Sequence, residues 1–186
     1  MNSLILVLTV LALTACVQVQ VPVENNNKGN QLAISSVRDL PIVYPQGSLF
    51  SLAPKYIKET SLKAEQTQKI YHLYTNAIIS DIQKNHFELA MPDKQAVFHV
   101  GFGIALSNDL SDVKISEKFG ITPGLPEHSG LKKGSFLIYI EDAVTGRRVW
   151  RGIAQGFAHE ELTVEQRQQR ISVIVSSVMK QFYQTN

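Results

Sequence analysis

Between Val97 and Leu106 the apolar residues Phe98, Val100, Phe102, Ile104 and Leu106 fall at every second position, with His99, Gly101, Gly103 and Ala105 in the gaps. A period of two places each set on its own face of an extended strand. The period returns in Ser135 to Glu141, where Phe136, Ile138 and Ile140 oppose Leu137 and Tyr139. It returns again in Arg148 to Gln155, where Val149 and Ile153 oppose Trp150 and Ala154. Asp142 to Arg147 joins these two segments as a hairpin turn, with Gly146 able to supply a positive φ. A further strand is expected around Ser48 to Leu52. A sheet with so apolar a face needs a layer to bury it.

Two helical segments supply that layer. From Leu62 to Asn85, Ile70, Leu73, Tyr74, Ala77, Ile78 and Ile82 recur at steps of three and four, with Ser61 as N-cap and Asn85 as the stop. From Val164 to Tyr183 the stripe is Val164, Ile171, Ile174, Val175, Val178 and Phe182, and Thr163 with Gln166 forms a capping-box pattern. The expected fold is α+β, with two helices packed on one face of a mainly antiparallel sheet of about four strands. Residues 32–186 make one domain, long enough to bury about 68–70% of its unfolded surface.

The N-terminus carries an address. Leu4 to Ala12 is a nearly unbroken apolar run, far shorter than the roughly 20 residues that cross a bilayer as a helix, and matches the core of a signal peptide. Leu13, Thr14, Ala15 and Cys16 follow it and resemble the bacterial lipobox. That resemblance implies cleavage between Ala15 and Cys16, acyl chains such as palmitate on Cys16, residues 1–15 as signal peptide and residues 16–31 as a lipidated tether. An ordinary secretory cut after Ala15 would place bulky Leu13 at the −3 position, and a cut after Thr14 fits that rule better. Val17, where an inner-membrane retention signal has Asp, favours the outer membrane, with the domain facing the periplasm. In residues 17–31 the Val/Gln alternation is broken by Pro22 and followed by a run of Asn, Lys and Gly, which suits a tether more than an edge strand. Cys16 is the sole Cys, so no disulfide within the chain staples the fold.

Lys133 to Asp142, then Thr145, Gly146 and Arg147, then Val149, Trp150, Arg151 and Gly152, resemble the signature of a bacterial lipoprotein family known as domain of unknown function 4136. The likeness spans about residues 40 to 183 and departs from the family pattern between Leu110 and Leu131. It implies the fold and the envelope address, and it implies no reaction, because the family has no established activity.

The sequence carries few motifs of chemistry. With 18 Lys and Arg against 16 Asp and Glu the net charge is +2, which offers no sink for a nucleic acid backbone. No nucleophile elbow is present, and an acylated Cys16 is unavailable to catalysis. His72, His86, His99, His128 and His159 show no metal-ligand spacing, and neither a metal nor a cofactor is implied. Gly101 and Gly103 mark a place where something crosses the sheet closely, with Trp150 or the first helix as the expected occupant. Residues 119–134 form a long turn-rich connection, of the kind that is commonly functional or disordered. Arg147, Arg148 and Arg151 around Trp150 are the densest basic group, read either as an anion-binding hairpin or as a solvated tip that guards an edge. The expected function is a lipid-anchored binding or accessory module whose partners are the membrane and an envelope protein or anionic envelope component. The alternative is an envelope hydrolase acting through Asp142, Glu160 and Glu161.

Overall fold

A computed structural model of the protein describes residues 18–20, 28–54, 61–159 and 161–184. The apolar leader, Ala15 and Cys16, most of the expected tether, and Glu160 lie outside them.

The described strands are β1 (Gln18–Gln20), β2 (Leu32–Arg38), β3 (Leu49–Pro54), β4 (Glu88–Leu89), β5 (Phe98–Leu106), β6 (Lys133–Asp142) and β7 (Arg148–Phe157). They form one mixed sheet in the order β1-β2-β7-β6-β5-β3-β4. The helices are α1 (Ala64–Lys84), α2 (Asp112–Phe119) and α3 (Val164–Gln184). The fold is α+β, as expected, but larger than four strands and only partly antiparallel. β3 pairs in parallel with both β4 and β5. The physical reason is α1, which lies between β3 and β5 in the chain and returns it so that the strands run the same way. Gln18–Gln20, expected in a tether, instead pair with β2 as the edge strand, so the Val/Gln alternation is strand pattern there.

The alternation builds two unlike faces. On the near face Phe98, Val100 and Phe102 of β5 join Phe136, Ile138 and Ile140 of β6 and Trp150 and Ala154 of β7 in one core with Tyr74, Ile78 and Ile82 of α1 and Val175, Val178 and Phe182 of α3. The two long helices therefore cover one face, as their stripes require. α3 begins on the expected capping box, in which Gln166 N donates to Thr163 Oγ1 at 3.2 Å and Thr163 N donates to Gln166 Oε1 at 3.0 Å. α1 stops at Asn85 as expected. Its cap is Lys63, because Ser61 donates its N–H and hydroxyl to the Asp109 carboxylate.

The far face is covered by α2, which no expectation included. Ile115 and Ile121 pack on Leu137 and Ile153, and Leu125 packs on Ala33 and Phe157. A buried polar clamp lies beneath this layer. Asp112, in the first turn of α2, accepts from Lys133 Nζ at 2.7 Å and from Gln155 Nε2 at 2.6 Å. Lys133 also donates to the Leu125 carbonyl, and Leu125 N donates to Gln155 Oε1. The turn-rich segment after α2 is thus tied down on both sides of one residue.

Candidate functional site

Beyond the end of α2 the far face changes character. β5, β6 and β7 are in register there, with His99 opposite Glu141 and Glu141 opposite Arg148. Ser51 of β3 is opposite His99 on the other side, and its Oγ lies 2.6 Å from His99 Nδ1. At the far end of the row Asp39, just after β2, binds Arg148 Nε at 2.9 Å and Arg151 Nη1 at 2.8 Å. A polar row, Ser51, His99, Glu141, Arg148 and Asp39, therefore crosses the sheet.

An irregularity in the β6–β7 ladder between Ile140 and Glu141 skips Val149 and sets Arg148 opposite Glu141. The Val149 carbonyl accepts from both Asp39 N and Leu40 N, which fixes Asp39 beside the two arginines. Arg148 Cζ lies 5.8 Å from the centroid of the Phe119 ring, a cation–π distance. Phe119 in turn meets Tyr139 edge to face at 6.4 Å. Tyr139 is the occupant of the gap at Gly101: a Cβ there would fall 2.6 Å from Tyr139 Cε1 and closer still to Cζ. The occupant is thus neither Trp150 nor the first helix. Burial and the nearby Glu141 charge raise the Tyr139 pKa, and Arg148 partly offsets them.

Of the four residues of the expected basic cluster, Arg148 and Arg151 meet on Asp39, and Trp150 and Arg147 lie apart from them. Trp150 is 1% exposed on the near face, 5.6 Å from Phe182, and its indole covers Gly152, so it is core. Arg151 points to the far face, where its side chain is 14% exposed against Asp39. Arg147 stands exposed at the hairpin tip. Arg148 is the member that is both held and half-open, with its side chain 36% exposed. Asp39, the residue that organises the two arginines, carried no sequence signal.

The carboxylates singled out for catalysis do not converge. Asp142 accepts from Thr145 N and Thr145 Oγ1, both at 2.8 Å, and from Tyr44 OH at 3.3 Å. The backbone and hydroxyl donors of Thr145 hold its pKa below the usual carboxylate range. It is a turn residue, in a hairpin where Gly146 takes φ 64°. Glu161 is exposed and lies 3.6 Å from His159 Nδ1, while His159 Nε2 donates to the Gly29 carbonyl. The Ser51–His99 pair has nucleophile-to-base distance. Ser51 lies on β3 and His99 on β5, and among the described residues no third group bonds the His99 ring to orient it as a base. Among the described residues no group of three or more His, Cys, Asp and Glu is placed to hold a metal ion, and no helix is long and apolar enough to cross a membrane. A shallow depression on α1, lined by Asn76, Ile79, Ser80, Gln83 and Lys84, holds no comparable group of charges.

The sequence model of Domain of unknown function (DUF4136) matches residues 44–182, most of the chain and all of the α1 to β7 scaffold. The chain belongs to the DUF4136 family. A solved DUF4136 family protein from Bacteroides thetaiotaomicron is similar, with 16% identity, a TM-score of 0.49, and coverage of 82% of this chain and 96% of that one. The PelC dodecamer from Paraburkholderia phytofirmans is similar at 9% identity and a TM-score of 0.46, covering 78% of this chain and 96% of that one. No curated protein matches the chain. Within this DUF4136 domain the match begins at Tyr44, so Asp39 lies just outside the matched residues and Arg148 and Arg151 lie within them.

Proposed function

We propose that this DUF4136 protein is a lipid-anchored envelope lipoprotein that acts as a binding or accessory module. Acyl chains on Cys16 hold it to the outer membrane, and the domain faces the periplasm. Two or three chains on one sulfur and its amine make a stable anchor, since each buried methylene contributes about 0.8 kcal/mol. The observation that supports binding is the far-face row, where Arg148 is oriented by Asp39 and Phe119 while half its reach is open. The commitment of Asp142 to a hairpin turn removes the main support for the hydrolase reading.

Two measurements test this. The native product extracted from membranes is expected to show the mass of residues 16–186 plus acyl groups. An unprocessed or unacylated product overturns the anchor. A photo-crosslinking residue at position 147, exposed and next to Arg148, is expected to capture an envelope component in intact cells, and one at Gln83 on the outer side of α1 is not. Equal capture at both positions, or none at 147, overturns the binding surface.

A further inference from the structure

Three polar groups stand in line on the far face with bonding capacity to spare. His99 engages Ser51 through Nδ1 alone. The carboxylate of Glu141, its cross-strand neighbour, makes no hydrogen bond or ion pair with any described residue. Arg148, next in the row, gives Nε to Asp39, and its two terminal nitrogens have no partner among the described residues. Directly opposed residues of antiparallel strands have Cα atoms about 4.5–5.5 Å apart, so the three span about 10 Å. Beside them lie the half-buried rings of Tyr139 and Phe119.

The charges around this row decide the class of ligand. On the far face Arg148 and Arg151 are matched by Asp39 and Glu141, so the row is close to neutral. A polyanion gains little from a balanced cluster, and a ligand that only accepts hydrogen bonds cannot use Glu141. A ligand rich in hydroxyls can donate to the carboxylate and accept from the guanidinium with the same group. When Ser51 donates to Nδ1, neutral His99 carries its proton on Nε2 and becomes a second donor. The C–H faces of a sugar ring suit the two aromatic side chains.

We propose that the row His99, Glu141 and Arg148 binds a saccharide. Glu141 accepts ring hydroxyls, Arg148 and His99 donate to neighbouring oxygens, and Asp39 and Phe119 are positioning residues for Arg148. The proposal rests on the far-face row being the binding surface. Two periplasmic sources share this chemistry: peptidoglycan glycan strands freed of peptide, and the core oligosaccharide of lipopolysaccharide freed of lipid.

The test is amide chemical-shift mapping of the isotopically labelled full chain in detergent, titrated separately with each saccharide and with inorganic phosphate. One saccharide is expected to move the amides around 99, 141 and 148, and the arm that does so identifies the source. Glu141→Gln and Arg148→Met are each expected to weaken it by about tenfold or more, the loss of one hydrogen bond to a charged group. A roughly tenfold rise in salt is expected to change the affinity by less than about twofold. Both side chains are partly exposed, and an unchanged melting temperature in each variant checks that folding is intact. Silence from both saccharides, shifts confined to another surface, or shifts at the row from phosphate alone each overturn the proposal. If crosslinking at 147 still captures an envelope component while both saccharides are silent, the ligand class falls and the binding surface stands.

Discussion

Replacing Lys133 by Met tests the clamp beneath α2. The Lys133 side chain is 4% exposed, and its ammonium lies 2.7 Å from an Asp112 oxygen and 3.2 Å from the Leu125 carbonyl. Removing one partner of a buried ion pair costs about 3–5 kcal/mol, because the other charge is left without a counterion. Here the stranded Asp112 is 34% exposed and still accepts from Gln155 Nε2, so water and one donor offset part of the loss. The expected cost is about 2 kcal/mol. At roughly 2–4 °C per kcal/mol for a domain of this size, that is a fall of about 4–8 °C in melting temperature. Adding Asp112→Asn removes the stranded charge and keeps an acceptor for Gln155. The double variant is therefore expected to melt above the Lys133→Met single variant. Hydrogen exchange should show the opening confined to α2 and the segment around Leu125. A single variant within about 1 °C of the parent, or a double variant whose losses add, refutes the clamp as a coupled unit.

Gly101→Ala drives a methyl group into the Tyr139 ring and is expected to cost about 1–3 kcal/mol in urea unfolding, with Tyr139→Ser in the same chain restoring part of it. Trp150→Ala should cost about 3–5 kcal/mol as a loss from the core, whereas Arg147→Ser at the exposed tip should stay within about 0.5 kcal/mol. Reversal of that order in parallel denaturation curves would return Trp150 to the surface. Asp142 has a folded pKa below its unfolded value, so its contribution is present above the unfolded value of about 3.9 and is lost as pH falls through the folded one. The stability advantage of the parent over Asp142→Asn should therefore be constant near neutrality and shrink below about pH 4. A pH-independent difference in melting temperature contradicts the Thr145 hydrogen bonds as its source.

Residues whose pattern repeats were legible in the sequence, and residues whose role depends on one contact were not. The stripes of α1 and α3 run for 21 residues each, and the alternation of β5 runs for 9, so local periodicity locates them to within a residue or two. α2 has eight residues with Ile115 as its buried one, which leaves no period to detect. Its signals were Ser111, which caps Lys114 N, and Gly120 at its end. β4 is two residues long and both are exposed, so it exists only through pairing with β3. The parallel direction of β3 follows from the path of α1 across the sheet, which no period of two encodes.

The candidate site was illegible for a related reason. Arg147, Arg148 and Arg151 are close in sequence, and sequence distance is a poor guide on a strand, where successive side chains point to opposite faces. Trp150 and Arg151 are adjacent and end on opposite sides of the sheet. What unites Arg148 and Arg151 is Asp39, 109 positions before Arg148 and brought beside it by the pairing of β2 with β7. The same pairing sets Leu125 of the turn-rich connection against Ala33 and Phe157. A segment that composition marks as loose is held by Lys133 and Gln155, the two longest of the four buried polar side chains among the described residues, all of them on strands. Buried Lys and Gln at strand positions were therefore the sequence's own sign that a polar partner had to come down onto that face, since neither side chain is tolerated there unpaired.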